Sequence, residues 1–258
     1  FTIDQKGIFE KEIDRAVADK QVDFAVHSLK DVPSELPEGL VIASVPKRET
    51  SNDVLITKDG SSLKSIPSGG LIGTSSLRRA VQISRQRSDL IVKPVRGNIE
   101  TRVNKVMDGK FDGIVLAHAG ISRLGLDIKF SILSTEDFPP SPGQGALAIV
   151  ARSNDLETVS MLKKIEDTKS RKEIEAERAL SDYVDSGCRF PVGALAKMDT
   201  EIMKLTVAAY SVDGKKSLII EKSGNIDDPK SIGRDLGIEL KNRGISELAS
   251  NWREKLEE

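Results

Sequence analysis

The residues best suited to chemistry fall in four short segments. His27-Ser28-Leu29-Lys30-Asp31-Val32-Pro33 places a lysine beside an aspartate just past an alternating stretch, so a cation and a carboxylate share one turn. Asp31 is the one obvious carboxylate set to answer an otherwise Arg-lined cleft, where it could stabilise a cationic intermediate or hold a substrate N–H. A surface ion pair ahead of a turn is the plainer reading of the same two residues. Gly73-Thr74-Ser75-Ser76-Leu77-Arg78-Arg79 brings small residues, hydroxyls and backbone amides to a strand-to-helix junction, an arrangement that favours anions. Arg78 and Arg79 in the first helical turn oppose the macrodipole and require a compensating anion, although Ser75 or Ser76 could be a simple N-cap. Arg96 follows the next strand and Arg102 lies in the helix beyond it, so both can face the strand-end crevice where open α/β sheets bind ligands. Cys188, the single cysteine, sits in the polar loop Asp185-Ser186-Gly187-Cys188-Arg189, where a neighbouring Arg favours the thiolate and covalent use. A small buried hydrophobe is the usual fate of a lone cysteine. His27 and His118 stand in no triad or metal-ligand pattern and read as packed or hydrogen-bonded residues.

The elements that must position these groups are legible from periodicity. Ile8, Phe9, Ile13, Ala16 and Val17 recur at helical spacing, and Val22, Phe24 and Val26 alternate as a short strand. An apolar run at 40–45 follows. Next come a strand at 70–72, a helix from 77 to 83, a strand at 91–95, a helix carrying Ile99, Val103 and Val106, and a strand at 113–117. Strands alternating with helices in this way predict parallel α/β sheets. Pro139-Pro140-Ser141-Pro142-Gly143-Gln144-Gly145 breaks the pattern, and a strand at 146–150 returns. Beyond residue 166 come a charged helix (169–183), the Cys188 loop, two strand-like runs (205–210 and 217–221) and a long helical region, an order that suits a separate α+β domain.

Charge divides unevenly among these segments. The 258 residues carry 39 Lys plus Arg against 40 Asp plus Glu, a formal charge of −1. Residues 1–46 carry −4, residues 47–141 carry +5, residues 142–165 carry +1 and residues 166–258 carry −3. Between residues 78 and 102, six Arg and Lys93 face only Asp89 and Glu100. Arginine is favoured where planar carboxylate or phosphate groups are gripped by two donors at once. Arg85 and Arg87, in a Ser-Arg-Gln-Arg-Ser run, read instead as a solvated helix face. A length prior of roughly 150 residues per domain gives about two domains. No apolar run approaches the roughly 18 residues needed to span a bilayer. One cysteine makes no internal disulfide and no zinc site, so the compartment is most simply cytosolic.

Taken together the chain resembles the porphobilinogen deaminases, also called hydroxymethylbilane synthases. The resemblance rests on Lys6-Gly7-Ile8-Phe9, the segment 27–33, the segment 73–79, Arg96-Gly97-Asn98 with Arg102, Arg123-Leu124-Gly125-Leu126, Pro142-Gly143-Gln144-Gly145-Ala146, and Gly187-Cys188 with Pro191. It runs in order along nearly the whole chain, and the segments 27–33 and 73–79 are its most specific parts. It implies an α/β fold with two periplasmic-binding-protein-like lobes and a small α+β C-terminal domain. Lobe 1 would comprise residues 1–46 and 142–165, lobe 2 residues 47–141, and the cofactor-attachment domain residues 166–258. The family's first strand and helix fall upstream of Phe1, so lobe 1 is expected to lack them here.

The activity implied is a transferase of heme and porphyrin biosynthesis that condenses four porphobilinogens, with release of ammonia, into the linear tetrapyrrole hydroxymethylbilane. The implied cofactor is dipyrromethane, held through a thioether to Cys188 as a permanent anchor. Asp31 takes the catalytic role, stabilising the electron-poor azafulvene left when ammonia departs. Lys30, Arg78, Arg79, Arg96, Arg102 and Arg123 are the implied carboxylate clamps, Thr74, Ser75 and Ser76 bind cofactor carboxylates, and Gln144 lines the cleft. Lys6, Ser28 and Asn98 complete the cofactor- and substrate-binding set, with no metal. Two departures stand out: Asp4-Gln5 replaces the Gly pair usual before Lys6, and Ser186 replaces the first of the Gly pair before the Cys. The resemblance favours a monomer without nucleic-acid or membrane partners. An anion-binding, two-lobed solute receptor is the competing reading, since it would share the fold and the Arg-lined crevice. A nucleic-acid binder is disfavoured by net charge and by few aromatics.

Overall fold

A computed structural model describes residues 8–33, 35–184 and 191–248. The chain begins with α1 (Ile8–Ala18) and β1 (Phe24–Ser28), passes through a 3-10 turn at Leu29–Asp31, and forms β2 (Leu40–Ser44) and β3 (Asp53–Ile56). Then come β4 (Leu71–Gly73), α2 (Leu77–Gln86), β5 (Ile91–Lys93), α3 (Ile99–Met107), β6 (Gly113–Ala117), α4 (His118–Leu124) and β7 (Ser131–Leu133). The remainder is β8 (Leu147–Arg152), α5 (Leu156–Lys163), α6 (Thr168–Val184), β9 (Val192–Asp199), β10 (Ile202–Tyr210), β11 (Ser217–Asn225), α7 (Pro229–Asn242) and α8 (Ile245–Leu248).

These strands make three sheets, and the fold is α/β with two lobes and a smaller α+β unit. The first sheet has order β1-β8-β2 and the second β5-β4-β6-β3-β7. The third is the antiparallel meander β11-β10-β9. The expectation of parallel sheets holds only in part. In the first sheet β8 runs antiparallel to both neighbours, because it returns from the second lobe and inserts between β1 and β2 from the opposite direction. In the second, β4 is parallel to β5 and β6, whereas β3 is antiparallel to β6 and β7. The four residues of β3 are all buried, as befits a strand covered on both faces, and so short a run carries no period from which to read it.

Strand β1 exposes the face that its apolar alternation marks. Phe24 and Val26 point to solvent, while Ala25 and His27 face inward. Side chains alternate strictly across a strand, so the pairing register of Phe24 with Ala151 decides which set is buried. Room on the inner face goes to Val17 of α1 and to a buried pair in which His27 Nε2 lies 2.8 Å from Asp14 Oδ1. His27 is therefore a packed, hydrogen-bonded residue.

In the third unit, Met203, Leu205 and Val207 of β10 pack with Leu180 of α6 and Leu236 of α7. Each such fully buried side chain contributes about 1.5–3 kcal/mol. The opposite face of β10 presents Ala208 and Tyr210 to Val81 of α2. Strand β9 was not legible, since its alanines (Ala194, Ala196) give little strand signal. Arg85 is exposed, as expected of a solvated helix face, and also donates to Gly214 O at 2.5 Å with its guanidinium 5.3 Å from the centre of the Tyr210 ring. Arg87 is half-buried, its guanidinium donating to the carbonyls of Leu63 and Ile66 and pairing with Asp89.

The three units meet at one carboxylate. Glu177 of α6 is fully buried and accepts from Arg48 Nη1 at 2.7 Å, from Gly143 N at 2.7 Å and from Ala196 N at 2.9 Å. Arg48 lies on the segment entering the second lobe, Gly143 on the segment leaving it and Ala196 on β9. Its helical neighbour Glu173 accepts from Met198 N, and burial pushes the Glu173 carboxyl above its usual range. Removing one member of a buried pair strands the other charge, so Glu177→Ala should lower unfolding free energy by about 3–5 kcal/mol in urea denaturation. A loss under about 1 kcal/mol would mean that the pair does not hold the units together.

Candidate active site

A cavity of about 220 Å³ opens between the first two sheets. Its first-lobe wall is Ser28, Lys30 and Asp31, at the end of β1 and in the following turn. Leu29 anchors that turn: its side chain is buried and its N–H donates to Ala146 O at 3.0 Å, which leaves the side chains of Lys30 and Asp31 on the cavity wall. The second-lobe wall brings Arg79 from α2, Arg102 from α3 and Arg123 from α4, with a floor of small and apolar groups such as Ala117, Ala119 and Gly120. Four cations therefore face one carboxylate.

Backbone geometry makes the enclosure possible. Gly145 has φ +87°, and a Cβ there would lie 2.5 Å from Thr50 O, so only glycine lets the two interlobe segments cross this closely. Gly143, at φ +76°, would drive a Cβ into Leu29 at 2.6 Å and so displace the turn that carries Lys30 and Asp31. Arg123 Nη2 donates to Gly145 O at 2.7 Å, and Arg102 Nε to Gly97 O at 2.7 Å. Each of these guanidiniums is thus steadied from one side. Burial lowers the Arg102 pKa, and the charge of Arg79 lowers it further, as two like charges near one cavity must.

Behind the wall, Asp53 is fully buried at the start of β3 and accepts from Arg78 Nη2 at 2.9 Å and from Arg79 Nε and Nη2 at 3.0 and 2.7 Å. Burial pushes its carboxyl up, but the two guanidiniums and the hydrogen bonds from Arg79 and Gln144 outweigh this and hold it well below the usual carboxylate range. The anion that the Arg78-Arg79 pair requires is thus supplied from within the chain.

Of the expected site residues, Ser28, Lys30, Asp31, Arg79, Arg102 and Arg123 come together on the cavity wall. Others do not. Arg78 is buried and donates to Asp53, to Gln82 Oε1 and to Pro139 O, so its guanidinium is used in the scaffold. Gln144 is also buried and lies behind Arg79 instead of lining the cleft. Thr74 is buried with its hydroxyl accepting from Ser76 N, and the Ser75 hydroxyl donates to Val95 O. Ser76 occupies the N-cap position of α2 without a side-chain capping bond. Asn98 caps α3, accepting from Thr101 N at 2.8 Å. Arg96 is exposed and off the cavity wall. Lys6 and Cys188 lie outside the described residues.

Sequence reasoning missed Asp53, Arg48 and Glu177. The signal for Glu177 was present, since Glu173, Ala176, Glu177 and Leu180 share one helix face with apolar neighbours. Among the described residues, no cluster of three His, Cys, Asp or Glu could hold a metal ion, and no helix is long and apolar enough to cross a membrane.

Two lobes flanking a cavity that, among the described residues, is lined by four cations and one carboxylate define an α/β protein with a site suited to anionic small molecules. Comparison with known proteins narrows that class. A family model described as porphobilinogen deaminase, dipyrromethane cofactor binding domain, matches residues 1–160, and one for the C-terminal domain of the same enzymes matches residues 171–242. A protein of Nitrosopumilus maritimus named "Probable porphobilinogen deaminase" is 67% identical over all 258 residues, which span 83% of that relative. The porphobilinogen deaminase of Alkaliphilus metalliredigens is 41% identical over 244 residues, 94% of this chain and 77% of the relative. The chain belongs to the porphobilinogen deaminase family, enzymes of deaminating condensation in tetrapyrrole biosynthesis. Solved structures similar to it include an arginine-specific periplasmic binding protein of Salmonella typhimurium (15% identity, 61% of this chain and 70% of that one, TM-score 0.37). Another is the second substrate-binding domain of Lactococcus lactis GlnP in its open form (12% identity, 60% and 66%, TM-score 0.39). Such distant likenesses add nothing to the fold drawn from the sheets themselves.

Because Asn98 is a cap, Asn98→Ala should cost about 1 kcal/mol of stability and leave the KM for porphobilinogen within about twofold of wild type. A large KM rise at unchanged stability would return Asn98 to the binding set.

Proposed function

We propose that the cavity binds the acetate and propionate groups of porphobilinogen and of the growing pyrrole chain, and that Asp31 is the catalytic carboxylate. The observation that carries this reading is the meeting, around one cavity, of Lys30 and Asp31 from the first lobe with Arg79, Arg102 and Arg123 from the second. Guanidiniums grip carboxylates through the N–H donors they have left, so the three arginines orient rings through their acidic substituents, Arg79 through Nη1. Ammonia leaving porphobilinogen takes the C–N bonding pair and leaves positive charge on the pyrrole. A fixed carboxylate beside that charge, in a partly enclosed site, lowers the barrier more than it would in water. Ser28 lies on the same wall and can accept or donate a hydrogen bond to the ring.

Cys188 is the thioether anchor in this proposal, with Lys6 an additional clamp. The cavity's excess of cations fits a polycarboxylate cofactor. When bound, dipyrromethane supplies the pyrrole carbon to which the first incoming ring is joined. We assign lobe 1 to residues 1–46 and 142–165, lobe 2 to 47–141 and the attachment domain to 166–258. The residues spanned by the three sheets support this division, since each sheet falls inside one unit. We also assign a monomeric, cytoplasmic enzyme that acts without nucleic acid. The solute-receptor reading is not favoured, because the family models account for both the lobes and the C-terminal unit.

Intact-protein mass tests the anchor: the purified full-length enzyme should exceed its polypeptide mass by two linked pyrrole units, and Cys188→Ser should remove the excess. An unmodified mass in an active preparation would sink the assignment. Asp31→Ala should fold normally, as judged by circular dichroism, yet lose about 100-fold or more in kcat. Undiminished turnover of porphobilinogen would take Asp31 out of the mechanism.

A further inference from the structure

Only one edge of the Arg79 guanidinium is firmly held. Its Nε and Nη2 both donate to Asp53 Oδ1, and Nη2 also donates to Gln144 Oε1 at 3.2 Å. Among the described residues Nη1 has just a long contact, 3.4 Å, to Val115 O. The Nε–Nη2 edge is thereby fixed from behind, while Arg79 itself remains part of the cavity wall.

The amide that completes this grip has a determined orientation. Gln144 Nε2 donates to Ser51 O at 2.7 Å and to Asp53 Oδ1 at 2.8 Å, which leaves Oε1 as the only atom able to accept from Arg79. Ser51 lies on the segment that enters the second lobe, and Gln144 on the segment that leaves it. One side chain therefore ties the two crossing segments to each other and to a cavity arginine. The main chain of Gln144 extends the connection, because its carbonyl accepts from Arg48 Nε at 3.0 Å and Arg48 pairs with Glu177 of α6. An uninterrupted path of hydrogen bonds thus joins the C-terminal unit's main helix to the cavity wall.

We propose that Gln144 is a positioning residue, which sets the orientation of Arg79 toward a ligand carboxylate according to how the two interlobe segments sit against each other. This rests on the reading of Arg79 as a carboxylate clamp. Gln144 does not line the cavity and acts through Arg79 and Asp53. The pKa of Arg102, lowered first by burial and then by the charge of Arg79, agrees that the two guanidiniums lie within electrostatic reach of each other. Asp53 shares the task but is a poor probe, because its removal strands two buried guanidiniums and threatens folding.

The test is a double-mutant cycle on the cofactor-loaded, full-length enzyme with porphobilinogen as substrate. Gln144→Met keeps the volume and removes the amide; Arg79→Lys keeps the charge and removes the fork. Gln144→Met alone should raise KM about tenfold with kcat within about threefold, and in the Arg79→Lys background it should add less than about twofold. An equal KM rise in both backgrounds, or none in the wild-type background, overturns the proposal. If Arg79→Lys by itself leaves KM unchanged, the clamp reading fails and takes the inference with it. A weakened Arg79→Lys beside a wild-type-like Gln144→Met refutes the positioning role alone. Should Gln144→Met not fold, Gln144→Asn, whose shorter amide cannot span Ser51, Asp53 and Arg79 together, carries the same comparison.

Discussion

A carboxylate at zero exposure, shared between two guanidiniums, is the constraint around which the site is organised. A charge taken out of water is tolerated only when paired and hydrogen-bonded, and Asp53 accepts from Arg78, Arg79 and Gln144 at once. One carboxylate between two arginines leaves a net positive charge in the wall. Arg78 is enclosed by Gln82 and Pro139, so the uncompensated charge is presented where Arg79 meets the cavity. The same arrangement fixes the first turn of α2 against the start of β3. The charge that Arg79 brings to the cavity and the packing of the second lobe therefore have one origin.

Helix α6 does for the whole chain what Asp53 does for the second lobe. Its Glu177 binds a side chain on one interlobe segment, a backbone amide on the other and an amide of β9. Relative movement of the lobes must be accommodated around this point. On the far side of the second lobe, Arg85 and Val81 of α2 meet Tyr210 and Gly214 of the C-terminal unit. The helix that delivers Arg79 to the cavity is consequently held on its outer face by the C-terminal unit.

The cavity's chemistry follows from division between the lobes. Asp31 and Lys30 arrive on a tight turn locked by Leu29, whereas the arginines arrive on three separate helices. Residues on different elements reach a common point because Gly145 lets the two crossing segments approach within a distance that a side chain would block, and Gly143 lets one of them lie against the Leu29-Lys30 turn. That requirement accounts for the glycines of Pro142-Gly143-Gln144-Gly145 in terms of backbone space, and for the intervening Gln144 in terms of what it holds.

The sequence by itself determined the class of the fold, the family, the cation-rich second lobe and six of the side chains that line the cavity, because these are local properties. Helical spacing, strand-end motifs and charge density are each written in contiguous residues. Tertiary structure alone decided which arginine faces the cavity and which is enclosed. Arg78 and Arg79 are neighbours of identical type, and their fates diverge through Asp53, Pro139 and Gln144, at distances of 25 to 65 residues along the chain. It also decided the direction of β8 and the outward face of β1, since strand pairing depends on a segment that returns more than 100 residues later. A buried ion pair is a long-range bargain between desolvation and attraction, and nothing in a local pattern states which residues will meet to satisfy it.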